Sequence, residues 1–297
     1  MNASHRERGV VFGRARIDYS VPESSRWRDL QLDVYLPEDR RPGSRPAFIM
    51  AFGGAFHRGS REDDRVADEG ASNTPVAEYC HAFAARGYVC FSIDYRLVPE
   101  DPDPGQTPVV CNPDDMPRSR VDVVRQRLGL PRASQEALWR GIEAASDDFA
   151  MAFRFVAAHA DRWRVDPARI AVGGFSAGAR SAWNAAYGEG VPAAAVVSLS
   201  GTMDPADLAE FLKSGRRLPP VLLVRGEHDL DYVSAQNPQA LELCRSAGID
   251  CVEAVVAGAG HFYPSSAPTV NDAEPSVEEV MAAFMASRVS APFQEIA

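Results

Sequence analysis

The chain has 297 residues, a hydrophobic content of 45% and a formal net charge of −10. This length fits one large α/β domain or two small ones, and the apolar content is sufficient for a substantial core. The acidic balance argues against nucleic acid or an anionic membrane surface as a partner, because both attract clustered lysine and arginine. No apolar run approaches the length of a membrane span, and residues 1–8 lack the apolar core of a signal peptide.

The five cysteines are odd in number, irregularly spaced and without a CxxC pair. This usage predicts reduced thiols and a cytoplasmic protein. Cys244 and Cys251 could approach each other across a helix-to-strand turn, but we do not predict a disulfide there. The six histidines are scattered, with no pair at i, i+4, so no metal site is predicted.

Two early strands are predicted, at residues 9–20 and 29–37. In the second, apolar residues alternate with polar ones, which is typical of an antiparallel strand with one exposed face. The alternating apolar residues are Leu30, Leu32, Val34 and Leu36. Residues 47–52 form a continuous apolar run, AFIMAF, which predicts a buried strand.

The buried strand is followed by Gly53-Gly54-Ala55-Phe56-His57. A glycine pair directly after a central strand lets backbone N–H groups point into a site, and acyl transfer needs such donors where a carbonyl oxygen becomes negative. We predict the N–H groups of Gly54 and Ala55 as these donors; the alternative is an ordinary tight turn. His57 is a candidate substrate contact, with a solvated role as the alternative.

Residues 60–163 contain one predicted strand between helices and loops. The predicted elements are a polar loop at 60–73, a helix at 74–86 capped by Asn73 or Thr74, a strand at 88–95, an irregular loop at 99–117, a short helix near 118–128 and a long helix at 134–163. Long loops in compact domains often serve as lids or binding loops. We therefore interpret residues 100–140 as a cap or lid insertion; the alternative is a surface loop without substrate contact.

The stretch from Arg169 to Gly178, RIAVGGFSAG, predicts a strand, a sharp turn and a helix. The turn contains a G-x-S-x-G pattern centred on Ser176, and this context is typical of a nucleophile elbow. Small residues can also form such a pattern by chance. If Ser176 is a nucleophile, the N–H of Ala177 at the helix N-terminus is a third donor for a developing oxyanion. Phe175 is a candidate substrate contact.

Strands and helices alternate through the second half of the chain. Predicted strands lie at 193–199, 221–224 and 252–256, and predicted helices at 205–213, 237–247 and 276–287. This alternation predicts a mostly parallel, doubly wound sheet with helices on both faces. No linker or repeat divides the chain, so residues 1–297 are predicted to form a single domain.

A serine nucleophile needs a base, normally a histidine oriented by a carboxylate. Only His228 and His261 follow Ser176. His261 lies in a glycine-rich loop after a predicted strand, where a base can reach over the sheet, and we predict it as the base. Asp229 is the predicted carboxylate, with Asp231 as the second choice. The alternative for His261 is a structural role, in which the ring packs against its neighbours in the loop and takes no part in catalysis.

These residues together resemble the α/β-hydrolase superfamily, in particular its carboxylesterase/lipase branch with hormone-sensitive-lipase-like and acetyl-xylan or feruloyl-esterase-like enzymes. The matching motifs, in the family's order, are GGAF at 53–56, DYRLVPE at 94–100, DPARIAVGGFSAG at 166–178, GEHD at 226–229 and GAGH at 258–261. The resemblance implies an eight-stranded, mostly parallel sheet and hydrolysis without a cofactor through an acyl-enzyme. Phe52 and Ala55 replace the first and last residues of the family's His-Gly-Gly-Gly, and residues 100–140 are longer than in compact members.

The sequence therefore predicts a serine hydrolase that cleaves small-molecule carboxylic esters, with no nucleic-acid partner and no membrane span. A peptidase or amidase with the same three residues is one alternative. A catalytically inactive hydrolase fold used for binding is another. The oligomeric state is left open, with a homodimer among the states considered.

Overall fold

The computed structural model describes residues 5–39, 42–68, 70–270 and 274–289. Its main sheet has eight strands in the order β1-β2-β4-β3-β5-β6-β7-β8. The strands are β1 (His5–Ile17), β2 (Arg26–Leu36), β3 (Arg45–Ala51), β4 (Val89–Ile93), β5 (Val165–Phe175), β6 (Ala195–Leu199), β7 (Val221–Gly226) and β8 (Cys251–Val256). β2 is antiparallel to both of its neighbours, and every other pairing is parallel. The predicted eight-stranded, mostly parallel sheet is confirmed.

Helices pack on both faces of this sheet. They are α1 (Val76–Ala85), α2 (Ser119–Arg127), α3 (Gln135–Ala158), α4 (Ala160–Trp163), α5 (Ala177–Trp183), α6 (Pro205–Leu212), α7 (Asp231–Ser246) and α8 (Val277–Arg288). A short hairpin pairs residues 67–68 with 71–72. Within the described ranges, no helix has both the length and the apolar composition needed to cross a bilayer. All five cysteines are free thiols.

The middle of the sheet forms the core, because β3, β4 and β6 are almost entirely apolar and covered on both faces. Parallel strands end at the same edge, so the residues that follow β3, β5, β7 and β8 meet there. The glycine pair, Ser176, Asp229 and His261 all belong to these following segments. The topology thus brings together residues that are far apart along the chain.

β2 differs from its predicted half-exposed pattern. Asp33 and Tyr35, expected on the solvent face, are fully buried. Arg6 and Arg61 cover this face and form ion pairs with Asp33, whose Oδ1 also accepts a hydrogen bond from the N–H of Gly9 (2.8 Å). Burial alone raises the pKa of Asp33, but these contacts outweigh it and lower the pKa below its ordinary value. The prediction was right that β2 is antiparallel and wrong about the exposed face at Asp33 and Tyr35, because alternation cannot show that long arginine side chains cover a strand.

Three element boundaries also differ from the prediction. The long helix is interrupted at His159 and continues as the short helix α4. β5 begins at Val165, four residues before the predicted start at Arg169, and its register against β3 shifts between the Arg45–Val165 and Ala47–Ile170 pairs. α7 begins at Asp231, so Pro238 lies inside the helix and not in its first turn.

Candidate active site

Ser176 sits on a strained turn between β5 and α5. Its backbone has φ 53° and ψ −113°, a conformation that non-glycine residues rarely adopt. A Cβ on Gly174 would lie 2.5 Å from the carbonyl oxygen of Ala51, and one on Gly178 would lie 2.1 Å from the same atom. Both contacts are with backbone, which cannot move aside, so the elbow requires glycine on either side of Ser176.

The structure brings Ser176, His261 and Asp229 into one chain of hydrogen bonds. His261 Nε2 lies 3.0 Å from Ser176 Oγ, and His261 Nδ1 lies 2.7 Å from Asp229 Oδ1. Each of the three residues is only 7% exposed. With Nδ1–H donating to the carboxylate, Nε2 is left free to accept the serine proton.

Asp229 is fixed by donors to both of its carboxylate oxygens. The N–H of Leu230 donates to Oδ1 (2.8 Å), and the N–H of Gly226 (3.1 Å) and the hydroxyl of Ser200 (2.6 Å) donate to Oδ2. The hydroxyl of Tyr263 lies 2.9 Å from Ser200 Oγ. Asp231, the second candidate from the sequence, is exposed at the start of α7. Sequence reasoning did not find Ser200 or Tyr263, since neither belongs to a recognisable motif.

The histidine loop (residues 257–263) packs closely against the end of β7. A Cβ on Gly226 would lie 2.1 Å from the carbonyl oxygen of Gly260, so only glycine permits this approach. Glu227 accepts a hydrogen bond from the N–H of Gly258 (2.8 Å). The ring of Phe175 lies 5.3 Å from that of His261, centroid to centroid. His228, the other histidine that follows Ser176 in the sequence, is exposed.

The glycine loop (residues 53–57) carries the predicted N–H donors. Its backbone is unusual, with φ 132° at Gly54 and φ 55° at Ala55. A Cβ on Gly54 would lie 2.0 Å from the carbonyl oxygen of Arg58, so this position also requires glycine. Within the part of the chain that the structure describes, the N–H groups of Gly54, Ala55 and Ala177 have no hydrogen-bond acceptor.

Asp64 holds the glycine loop against α1. It is 4% exposed and accepts hydrogen bonds from the N–H of Gly53 (3.0 Å) and of Val76 (2.9 Å). Burial raises the pKa of Asp64 to about 6, although the two N–H groups act in the opposite direction. Asp64 thus takes the place of the predicted cap of α1. The side-chain oxygen of Asn73 instead accepts from the N–H of Val66 (2.8 Å).

His57 links the glycine loop to α2. Its Nε2 accepts a hydrogen bond from Arg125 (2.9 Å), so Nδ1 carries the hydrogen and donates it to the carbonyl oxygen of Ala55 (2.6 Å). Burial lowers the pKa of His57, and the charge of Arg125 adds to this effect. His57 is absent from the described linings of the two cavities at Ser176. The prediction that it contacts substrate draws no support from this geometry.

Two cavities meet at Ser176 and Ala55. The larger includes about 640 Å³ of space, part of which is open solvent; the smaller, beside His261 and Phe175, includes about 250 Å³ counted in the same way. Residues 116–142 form part of the wall of the larger cavity. This segment contributes Met116, Pro117, Arg120, Val121, Leu138 and Ile142. Ser176 therefore borders a pocket that is open to solvent on one side and a narrower cleft beside His261 on the other.

No group of three potential metal-ligating side chains gathers anywhere in the described ranges. The side chains around Ser176 instead form the hydrogen-bond chain described above, with aromatic rings packed behind it. The chemistry that these residues can supply by themselves is proton transfer and nucleophilic attack.

No protein-family model matches the chain, and no curated protein matches its sequence. Solved structures do resemble it. Butyrate-bound Est2, a thermophilic esterase from the Planctomycetes species Thermogutta terrifontis, is 18% identical over 98% of this chain and 97% of that chain, with a TM-score of 0.60. The same organism's esterase 2 phosphorylated by paraoxon is 20% identical over 97% and 95% of the two chains, with a TM-score of 0.59.

A truncated carbohydrate esterase from gut microbiota also has a similar structure. It is 14% identical over 97% of this chain and 98% of that chain, with a TM-score of 0.57. These likenesses extend over nearly the whole chain and agree with the strand order and the strand–elbow–helix geometry around Ser176. The chain has the α/β-hydrolase fold.

Proposed function

We propose that the protein is a serine hydrolase that cleaves carboxylic esters through an acyl-enzyme intermediate. The observation that carries this proposal is the chain of two hydrogen bonds, 3.0 Å from His261 to Ser176 and 2.7 Å from His261 to Asp229. Two bonds of this length support the roles of His261 as base and Asp229 as orienting carboxylate for a strained, pocket-lining serine. A binding protein has no evident need for that arrangement.

Acylation begins when Ser176 Oγ attacks the ester carbonyl carbon. His261 Nε2 takes the hydroxyl proton, and Asp229 stabilises the resulting imidazolium. The carbonyl oxygen becomes negative and is held by the N–H groups of Gly54, Ala55 and Ala177. When the tetrahedral intermediate collapses, the bond to the alcohol oxygen breaks. His261 gives its proton to the departing alcohol.

Deacylation repeats these steps with water. His261 takes a proton from water, the hydroxide attacks the acyl carbon, and the same N–H groups hold the second oxyanion. The bond to Ser176 Oγ then breaks, the acid leaves, and the serine recovers its proton from His261. The hydrogen bonds to both oxygens of Asp229 support this cycle, because they keep the carboxylate aligned with the ring.

We also propose that the insertion (residues 100–140) acts as a lid on a single catalytic domain. Its side chains form part of the larger cavity's wall, and Arg125 contacts His57 of the glycine loop. A lid that touches this loop can position the oxyanion donors as well as close over substrate. We retain the cytoplasm as the expected compartment, because free thiols suit a reducing environment.

Small acyl esters are the substrates that this site suits best. The larger cavity beside Ser176 opens to solvent, and the similar structures include one esterase, Est2, with propionate bound and with butyrate bound. A peptidase or amidase would use the same residues, so the nature of the leaving group has to be measured. Phe175, which lines the smaller cavity, is the proposed contact for the shorter part of the substrate.

The test is hydrolysis of p-nitrophenyl acetate and p-nitrophenyl butyrate by the wild type, Ser176→Ala and Ser287→Ala. Ser287 is an exposed serine at the end of α8 and serves as the matched control. We expect turnover by the wild type and the control, and only background rates from Ser176→Ala. An anilide with the same acyl group, assayed in parallel, separates esterase from amidase activity.

Equal rates from all three proteins would overturn the proposal, because the serine would then have no part in the reaction. A protein that binds esters without turning them over would support the binding-protein alternative. Faster cleavage of the anilide than of the ester would favour the amidase alternative. Circular dichroism of each variant ensures that a loss of activity does not reflect unfolding.

A further inference from the structure

The larger cavity has a positively charged region. Arg120 and Arg180 are among its lining residues, and none of the described lining residues is acidic. Apolar side chains such as Met116, Val121 and Leu138 form much of the remaining wall. The charge of this lining is opposite in sign to the formal net charge of the protein, −10. Arginine side chains in a largely apolar pocket favour a ligand with an anionic group.

Arg180 is placed by the catalytic elbow itself. It lies one helical turn after Ser176, and its N–H donates to the carbonyl oxygen of Ser176 (3.1 Å). Its side chain is 12% exposed, and its sole partner among the described residues is Asp207, at 3.5 Å. That distance is at the outer limit of a hydrogen bond, and Asp207 also accepts from the N–H of Cys111 at 2.7 Å. Among the residues that the structure describes, none forms a hydrogen bond with the buried Nε of Arg180.

Neutral donors surround the same region. Thr202 lines the cavity, is 5% exposed, and has a hydroxyl without a hydrogen-bond partner among the described residues. Tyr232 also lines the cavity. Burial raises the pKa of Tyr232 to about 12, and the charge of Asp229 acts in the same direction. Tyr232 therefore keeps its hydroxyl proton at neutral pH. The positive charges of Arg180 and Arg120 act in the opposite direction on the pKa of Tyr232. A buried donor without a hydrogen-bond partner destabilises the folded protein unless a ligand or water accepts its hydrogen bond.

We propose that the preferred substrates are esters that carry a free carboxylate, which Arg180 binds with help from Thr202, Tyr232 and Arg120. This inference rests on the proposed esterase function and names the substrate class of that same site. The carboxylate would accept hydrogen bonds from Arg180 and from the hydroxyl group of Thr202, while the ester carbonyl lies at Ser176. The planar guanidinium of Arg180 suits a carboxylate, which it can bind through two parallel hydrogen bonds.

The test compares charged and neutral esters of the same length. Monomethyl adipate against dimethyl adipate places the charge on the acyl side, and 4-acetoxybenzoate against its methyl ester places it on the alcohol side. We expect kcat/KM to favour the charged member of one pair by at least tenfold, after correction for the two equivalent esters of dimethyl adipate. The pair that shows the preference identifies which part of the substrate enters the larger cavity. The preference should shrink at high salt, because screening weakens the attraction.

Arg180→Gln tests the residue, with Arg14→Gln as the matched control. Arg14 is on β1, is 65% exposed and pairs with Asp29, so it lies outside the cavity. We expect Arg180→Gln to lower the charged-to-neutral ratio at least tenfold, mainly through KM for the charged ester. The control should keep the wild-type ratio. If Arg180→Gln does not fold, Arg120→Gln on α2 tests the same charge effect. The charged-to-neutral ratio of the wild type also tests the proposal without any variant.

The two proposals fail in different ways. If no ester is cleaved in a Ser176-dependent manner, the esterase function is wrong and this inference fails with it. If neutral esters are cleaved through Ser176 but neither charged ester is preferred, only the carboxylate inference is overturned. It is also overturned if a preference exists and remains unchanged in folded Arg180→Gln and Arg120→Gln proteins.

Discussion

The edge of the sheet around Ser176 and the insertion at residues 100–140 are held in place by different kinds of contact. Around Ser176, glycines allow backbone to touch backbone, and a buried carboxylate with several donors orients His261. In α2 of the insertion, only Val121 and Val124 are buried, and Val123 on the same helix is 40% exposed. Arginine hydrogen bonds at its two ends supply much of its attachment.

This difference separates two requirements of the proposed enzyme. Proton transfer needs atoms fixed to within a few tenths of an ångström, which close backbone packing provides. Substrate selection requires a wall whose side chains can vary without disturbing that geometry, which a loosely attached helix provides. We therefore expect changes at the sheet edge to have large effects on turnover or stability, and changes in the insertion to have smaller effects.

Asp229→Asn should have the largest effect. The amide would favour the wrong tautomer of His261, and we expect kcat to fall by about 10³–10⁴-fold with the fold retained. Steady-state hydrolysis of p-nitrophenyl butyrate measures this loss. Asp231→Asn, two residues further along and exposed, is the control and should behave like the wild type. If the control were the damaged variant, the carboxylate assignment would be wrong.

Gly178→Ala should come next, as a test of the backbone packing at the elbow. The added methyl group would lie 2.1 Å from the carbonyl oxygen of Ala51, and we expect the free energy of unfolding to fall by about 3 kcal/mol. At Gly260 the nearest atom to an added Cβ is the carbonyl oxygen of His228, at 3.7 Å. Gly260→Ala should therefore cost less than about 1 kcal/mol. Denaturant unfolding of both variants checks this contrast, and equal losses would contradict it.

Arg125→Met should have a moderate effect, because it removes the hydrogen bond between α2 and His57. A hydrogen bond to a neutral acceptor contributes a free energy of about 1 kcal/mol. We therefore expect about a fivefold rise in KM for p-nitrophenyl butyrate and a smaller change in kcat. Arg132→Met is the control, since Arg132 is 72% exposed and pairs with Asp122. If both variants keep wild-type kinetics, the insertion does not act on the glycine loop through Arg125.

The smallest expected effect is a pH dependence of stability that comes from His57. Its folded-state pKa is lowered by burial and by Arg125, whereas unfolded histidine takes up a proton near pH 6.5. Below that pH the unfolded state binds more protons, so the free energy of unfolding falls as pH falls, by at most about 1.4 kcal/mol per pH unit. Urea unfolding at about pH 7.5 and about pH 5.5 should show a larger loss for the wild type than for His57→Gln. An equal loss in both proteins would exclude this contribution.

Much of the sheet and its edge could be predicted from the sequence, because the relevant signals are local. Apolar runs mark β3 and β5, and the glycines around Ser176 mark a turn that needs them. His261 and Asp229 follow in loops after strands, where parallel topology makes them converge. In each case the residue type and its position relative to a strand were sufficient.

The contacts that sequence analysis missed join residues without a local pattern. Asp64 looks like one of many polar loop residues until the fold places it under Gly53 and Val76. Arg125 and His57 are 68 positions apart, and either one reads as an exposed polar residue. Asp33 was expected to face solvent because the two arginines that cover it come from other segments. Long side chains that bridge separate segments leave no periodic signal.

Covalent labelling with paraoxon tests the central claim most directly. If His261 activates Ser176, Oγ displaces p-nitrophenol from phosphorus, and a diethylphosphoryl group remains on the serine. We expect one p-nitrophenol released per protein molecule, parallel loss of ester hydrolysis, and peptide mass spectrometry that places the group on Ser176. A protein that cleaves esters at an undiminished rate after exposure, or that carries the label on another residue, would contradict the account.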